Sequence, residues 1–136
     1  FDDQYVSSKI DYVIGASMLL TRNVLERVGL LCEDYFLYFE ELDICKRIEQ
    51  AGFICSVCSS SIVYHKEGGS TGAIKEKSIF ADQLAIKNRL VFSRKFYPWH
   101  LPLVWVGLWF ALINRLRRRQ FAKANETLRI IFNCKQ

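Results

Sequence analysis

The chain has 136 residues, 51% of them apolar and 24% charged, with a net charge of +5. That length makes about one domain with room for a buried core, and that apolar share excludes a disordered chain. The positive total hides an asymmetry: residues 1–74 carry 6 Lys/Arg against 11 Asp/Glu, and residues 75–136 carry 13 against 3. A basic second half suits a polyanionic partner such as a phosphorylated substrate or anionic lipid. No nucleic-acid motif accompanies it, so nucleic acid is not expected. Phe1-Asp2-Asp3-Gln4-Tyr5 has neither an initiator Met nor the basic and apolar regions of a signal peptide, and the chain reads as a piece of a longer sequence.

Residues 10–21 are rich in β-formers, with Gly15-Ala16 in the middle. This predicts a strand interrupted either by a bulge or by a close backbone approach to a ligand. Thr21 is placed to cap a helix over 22–28 that Gly29 stops. A loop over 30–37 follows. Leu42, Cys45, Ile48 and Ala51 then recur at helical spacing, predicting a helix over 39–51 with Gly52 as its stop. Short strands are expected over 53–58 and 61–65, and Gly68-Gly69-Ser70-Thr71-Gly72 reads as a loop.

In the second half, Ile79, Leu84, Ile86, Leu90 and Phe96 give residues 76–97 a wide apolar helical stripe. Leu101–Ile113 is wholly apolar; as a helix it spans roughly 20 Å, short of the roughly 30 Å hydrocarbon core of a bilayer. Pro98 and Pro102 argue against joining it to the preceding helix as one straight rod. Phe121, Ala124, Leu128 and Ile131 share a face of a helix over 120–134. With the cluster Arg115, Arg117, Arg118 and Arg119, this tail is expected to lie on an anionic membrane surface; the alternative is that the apolar block packs on the 76–97 helix and closes a core.

Five cysteines, Cys32, Cys45, Cys55, Cys58 and Cys134, sit among apolar neighbours. Cys55-Ser56-Val57-Cys58 is a lone C-x-x-C on an expected strand. It has no second ligand pair for zinc and no helix N-terminus for redox work. Small buried thiols in a reducing compartment, most simply the cytoplasm, are the expectation.

The chemistry-bearing stretch is Tyr35-Phe36-Leu37-Tyr38-Phe39-Glu40-Glu41-Leu42-Asp43-Ile44-Cys45-Lys46-Arg47, with His65 standing 24 residues after Glu41, ahead of Lys66-Glu67-Gly68-Gly69-Ser70. Acids in a first helical turn interact well with the helix dipole, and by themselves need no catalytic explanation. The whole run, however, resembles the second half of a family-2 glycosyltransferase. There an aromatic run precedes Glu-Asp-x-Asp-[Leu/Ile]-Cys-x-Arg, and a His-x-x-Gly-x-Ser-like segment follows. Lys87-Asn88-Arg89-Leu90 and Lys95-Phe96-Tyr97-Pro98 are similar to segments of bacterial rhamnosyltransferase-like members.

The resemblance implies an α/β class, as an α+β fragment: the C-terminal half of a GT-A nucleotide-sugar transferase fold, with an appended helical tail. Residues 1–75 would be the acceptor-side half and 76–136 the helical, membrane-contacting region. It implies an inverting transfer from a nucleotide-sugar donor to a glycan or lipid-linked acceptor, peripheral at the inner, cytoplasmic face of the membrane. Glu41 occupies the catalytic-base position, with Glu40 and Asp43 as its motif neighbours. Gly15 and Ala16 match a small-residue segment beside the donor sugar, and Tyr38 and Phe39 are candidates for a sugar platform. His65 matches a histidine that helps hold a divalent metal, Mg or Mn, whose main ligands would lie in an N-terminal half of the same protein. The family usually has Asp where this chain has Glu41, and the extra methylene moves the carboxylate by roughly 1.5 Å; Asp43 is the substitute for the base, although i and i+2 positions do not share a helix face. The alternative is a basic, membrane-associated binding module without catalysis.

Overall fold

A computed structural model describes residues 6–65 and 79–133. The expected Gly68–Gly72 loop, the start of the 76–97 helix and Cys134 lie outside the described residues. The chain divides into two compact units, Phe1–Glu67 and Gly68–Gln136.

The first unit runs β1 (Val6–Ile10), α1 (Arg22–Val28), α2 (Glu40–Gln50) and β2 (Cys55–Cys58). β1 and β2 pair antiparallel, with Val6 opposite Cys58, Lys9 opposite Ser56 and Ile10 opposite Cys55. The register is irregular between Val6 and Lys9. The strand expected over 10–21 is therefore shifted: it ends where that stretch begins. Residues 11–20 run irregularly, with Val13, Met18 and Leu20 packed against the core and Ile14 and Leu19 exposed. Their apolar alternation serves burial against α2 rather than strand pairing. The second expected strand, 61–65, is likewise not a strand; Ile62, Val63 and Tyr64 are exposed.

The helix boundaries follow local chemistry. Thr21 Oγ1 accepts a hydrogen bond from Val24 N at 3.4 Å and opens α1. Gly29, at φ 80°, closes it in the left-handed region that favours glycine. The core of this unit is Ile44, Cys45 and Ile48 of α2. Val24, Leu25 and Val28 of α1 pack against it, as do Phe53 and Cys55. The α2 residues recur at i and i+4, which puts them on one helix face.

The second unit is helical: α3 (Ile79–Phe96), a 3-10 turn (Pro98–His100), α4 (Leu101–Arg117) and α5 (Phe121–Asn133). α3, α4 and α5 pack pairwise. Ile86, Leu90 and Leu108 form the core, with Val104, Trp105, Ile130 and Ile131 against it. Pro98 starts the 3-10 turn and Pro102 sits in the first turn of α4; both are places where proline's missing N–H costs no helical bond.

On α5 the inward positions are Ala124, Thr127, Leu128 and Ile131, while Phe121 is exposed, against expectation. Thr127 is fully buried, and it donates to Lys123 O at 2.8 Å.

Arg115 ties the three helices together. It bonds Asp82 Oδ1 of α3 at 2.8 Å, and it donates to Thr127 Oγ1 and Lys123 O of α5. The expectation that Arg115 faces a partner together with Arg117–Arg119 is thus corrected: its guanidinium is spent inside the bundle.

α4 ends in a Schellman turn. Gln120 N donates to Arg115 O and Arg119 N to Leu116 O. Arg119 sits at the left-handed position, φ 56°, where glycine is the usual residue and a side chain costs about 1 kcal/mol.

Leu90 is fully buried and Leu103 is 68% exposed. Leu90→Ala is therefore expected to lower the stability of the helical unit by about 2–5 kcal/mol, read as the urea midpoint. Leu103→Ala is expected to leave that midpoint within about 0.5 kcal/mol of the parent.

Candidate active site

The site is built on the N-terminus of α2. A helix start leaves several backbone N–H groups without helical partners, usually met by a Ser, Thr, Asp or Asn cap. Here the capping position is Phe39, whose side chain makes no capping hydrogen bond. Both Tyr38 (φ 70°) and Phe39 (φ 77°) hold left-handed backbone. For bulky residues this is strained, on the order of 1–2 kcal/mol each. Such strain clusters at sites where it fixes geometry.

The strained pair delivers Glu40 and Glu41 into the first turn of α2. Each carboxylate keeps one oxygen, Oε2, buried and without a hydrogen-bond partner. Burial pushes the Glu41 carboxyl above the ordinary carboxylate range, and the neighbouring Glu40 charge adds to the shift. A bond to its own backbone opposes the shift without cancelling it. Buried carboxylates are normally satisfied. Two open carboxylate oxygens, with a strengthened hold on a proton at Glu41, are suited to accepting one from a bound group.

Asp43 does something different. It is fully buried, accepting from Arg47 Nε at 2.6 Å through Oδ1 and from the Tyr35 hydroxyl at 3.2 Å through Oδ2. Burial pushes the Tyr35 phenol up, and the Asp43 charge adds to it. Arg47 also donates to Val28 O and, at 2.8 Å, to Leu30 O. Asp43 thereby holds the loop that precedes the site and the end of α1 onto α2. With both oxygens engaged and no exposed surface, it is placed to position rather than to exchange protons.

Gly15 and Ala16 lie in a turn closed by Ser17 N donating to Ile14 O at 3.2 Å. A Cβ placed on Gly15 would stand 3.8 Å from Glu41 Cβ, so the turn and the carboxylate pair are adjacent. A methyl group would fit there at ordinary contact distance; a longer side chain would reach over Glu41. Tyr38 and Phe39 are half-buried and Ala16 is exposed.

His65 is exposed, in the irregular stretch after β2. Among the described residues no group of three or more His, Cys, Asp or Glu side chains is arranged to hold a metal. His65 offers one imidazole nitrogen, and the described residues by themselves do not fit a divalent ion.

Tyr35 and Arg47 carry structural weight that their sequence positions only partly signal. Asp43 and Arg47 stand at i and i+4, a legible helical pair, whereas the Val28 and Leu30 carbonyls and the left-handed backbone at Tyr38 and Phe39 have no sequence signature. The thiols depart from the expectation of uniform burial: Cys45 is buried and Cys55 half-buried, whereas Cys58 is exposed. Burial and the adjacent Cys45 push the Cys55 thiol up to about 11.

Comparison with known proteins finds distant relatives of part of this chain. Over 98 residues the chain is 29% identical to proteins named N-acetylglucosaminyl-diphospho-decaprenol L-rhamnosyltransferase from Mycobacterium tuberculosis strains CDC 1551 / Oshkosh and ATCC 25618 / H37Rv, covering 71% of this chain and 31% of each relative. Over 88 residues it is 24% identical to the low-salt glycan biosynthesis hexosyltransferase Agl10 of Haloferax volcanii, covering 65% of this chain and 28% of that protein. The relatives are named as glycosyltransferases. The chain spans less than a third of the length of the curated relatives it matches. No family model matches it, and no solved structure matches it significantly.

The two kinds of carboxylate predict opposite stability effects. The Glu41 affinity for protons is raised by folding, so the folded chain holds more protons than the unfolded chain. Its stability contribution is present below the unfolded value and is lost as pH rises through the folded one. Glu41→Gln, which cannot ionise, is expected to be more stable than the parent at neutral pH, the difference vanishing near pH ~4; urea midpoints measured across that range check it. Asp43→Asn leaves the half-buried Arg47 charge without its anion and is expected to destabilise the chain by about 3 kcal/mol at neutral pH, by the same measurement.

Proposed function

We propose that this chain forms the acceptor-side part of an inverting, family-2 glycosyltransferase of GT-A type. It moves a sugar from a nucleotide-diphosphate donor to a hydroxyl of a glycan or lipid-linked acceptor. The observation that carries this reading is the Glu40–Glu41 pair: two open, buried carboxylate oxygens, beside a small-residue turn at Gly15, on a helix start held in strained backbone. The names of the distant relatives support the same class.

In this reading an acceptor hydroxyl lies against Glu41. As its oxygen forms a bond to the anomeric carbon, its proton passes to the Glu41 carboxylate. The bond from that carbon to the donor phosphate oxygen breaks, and the nucleoside diphosphate leaves with the electron pair. A base works best with a pKa near the working pH, and burial moves Glu41 in that direction. Glu40 reinforces the shift, and the Asp43–Arg47–Tyr35 network holds the helix start in place. Tyr38, Phe39, Gly15 and Ala16 are assigned to the walls of the sugar site.

Donor binding and the main ligands of a divalent ion, Mg or Mn, are assigned to parts of the protein outside the described residues. His65 contributes one donor atom there, and no step above relies on the ion. In this reading the reaction takes place at the cytoplasmic face of the membrane.

In the full-length transferase, Glu41→Gln is expected to lower the transfer rate by roughly 10²–10⁴ while donor affinity stays within a few-fold. Transfer persisting within about tenfold of the parent would remove Glu41 from the role of base. A larger loss in Glu40→Gln than in Glu41→Gln would move that role to its neighbour.

A further inference from the structure

The helical unit carries a two-part outer surface that its own packing does not use. The inner face of α4, with Leu108 and Leu112 buried and Val104 and Trp105 beside them, meets α3 and α5. The opposite face carries Leu103, Val106, Phe110 and Ile113, exposed by 68, 51, 69 and 53%. These positions follow the i, i+3, i+7, i+10 spacing of one helical stripe, and the next position in the series is Arg117. An open depression of about 480 Å³ lies there, lined by Phe110, Ala111, Ile113, Asn114 and Arg117. The stripe is apolar for three turns and then polar. Arg117, Arg118 and Arg119 are all exposed at its end.

We propose that this outer face of α4 docks on an anionic phospholipid bilayer, with the apolar stripe in the headgroup–acyl boundary and Arg117, Arg118 and Arg119 on lipid phosphates. Contiguous exposed apolar surface of this kind marks an interaction site, and charge complementarity selects the partner: residues 75–136 carry 13 Lys/Arg against 3 Asp/Glu. A second copy of this chain would bring arginines of like charge into the same contact. The geometry also sets the mode of binding. α4 has 17 residues, about 25 Å of helix, and no helix among the described residues is long and apolar enough to cross a membrane. A helix with one apolar face and a cationic end lies in the interface plane. Arg119 occupies left-handed backbone that glycine would hold without strain, so this charge can be removed without weakening the turn.

The test is co-sedimentation of the full chain with vesicles of phosphatidylcholine alone and with added phosphatidylglycerol. Binding is expected only with the anionic lipid, weakening as salt rises. Replacing Arg117, Arg118 and Arg119 by Gln is expected to weaken it by on the order of a hundredfold, from about fivefold per arginine. Phe110→Ser is expected to weaken it by roughly tenfold. Arg119→Gly is the decisive variant, because it relieves backbone strain: binding should fall by about fivefold while the urea midpoint holds or rises. Absence of binding to anionic vesicles at low salt overturns the proposal. So does binding that ignores the arginine replacements, or a solution dimer that Phe110→Ser dissociates. The assay needs neither donor nor acceptor, so its failure and the failure of the transfer reading are separate results.

Discussion

The first unit depends on one buried ion pair. Asp43 and Arg47, one helical turn apart on α2, meet at 2.6 Å with Asp43 fully buried. Burying such a pair is costly unless the remaining donors and acceptors are met. Here they are: Tyr35 takes the second carboxylate oxygen, and the Val28 and Leu30 carbonyls take the outer guanidinium nitrogens. The planar guanidinium reaches three targets at once, which a lysine ammonium on a flexible stem would not reproduce. The pair stitches the end of α1, the loop after it and α2 into one piece, and the aromatic run is carried on that loop.

That anchoring makes the strain at Tyr38 and Phe39 sustainable. Two bulky residues in left-handed backbone, followed by two carboxylates with unpartnered oxygens, work against stability at the same point. Local conflicts of this kind are expected at functional sites, where geometry is held against the backbone's own preference. Adjacent acids of one motif thus take separate parts. Asp43 is consumed by structure, while Glu40 and Glu41 are left chemically open.

The helical unit divides its arginines in a parallel way. Arg115 points inward and is satisfied by Asp82, Thr127 and Lys123 O across three helices. Arg117, Arg118 and Arg119, two to four residues further on, are exposed. Two residues of helix, about half a turn, plus the Schellman reversal separate the two roles. The same rotation gives α4 one face for α3 and α5 and another that its own bundle leaves uncovered.

Much of the helical framework was legible from local chemistry. Thr21 and Gly29 bound α1, helical spacing located α2, and Pro98 and Pro102 break α3 from α4, because caps, periodicity and proline act within a few residues; of the α2 stripe read from Leu42, Cys45, Ile48 and Ala51, only Cys45 and Ile48 are in the core, which Ile44 completes. The acids at the start of α2 could be read for the same reason. The strands could not be placed so well. A β-rich composition over 10–21 does not say which segment finds a partner, and pairing of Ile10 with Cys55 is a long-range choice. Nor did the sequence distinguish Asp43 from Glu41, or Arg115 from Arg117: each pair is alike in residue type and differs in what surrounds it. Local sequence determined where the helices start and stop and which residues can carry charge. Only the tertiary structure decided which charges are neutralised inside and which remain open, because burial and partners belong to the packed chain.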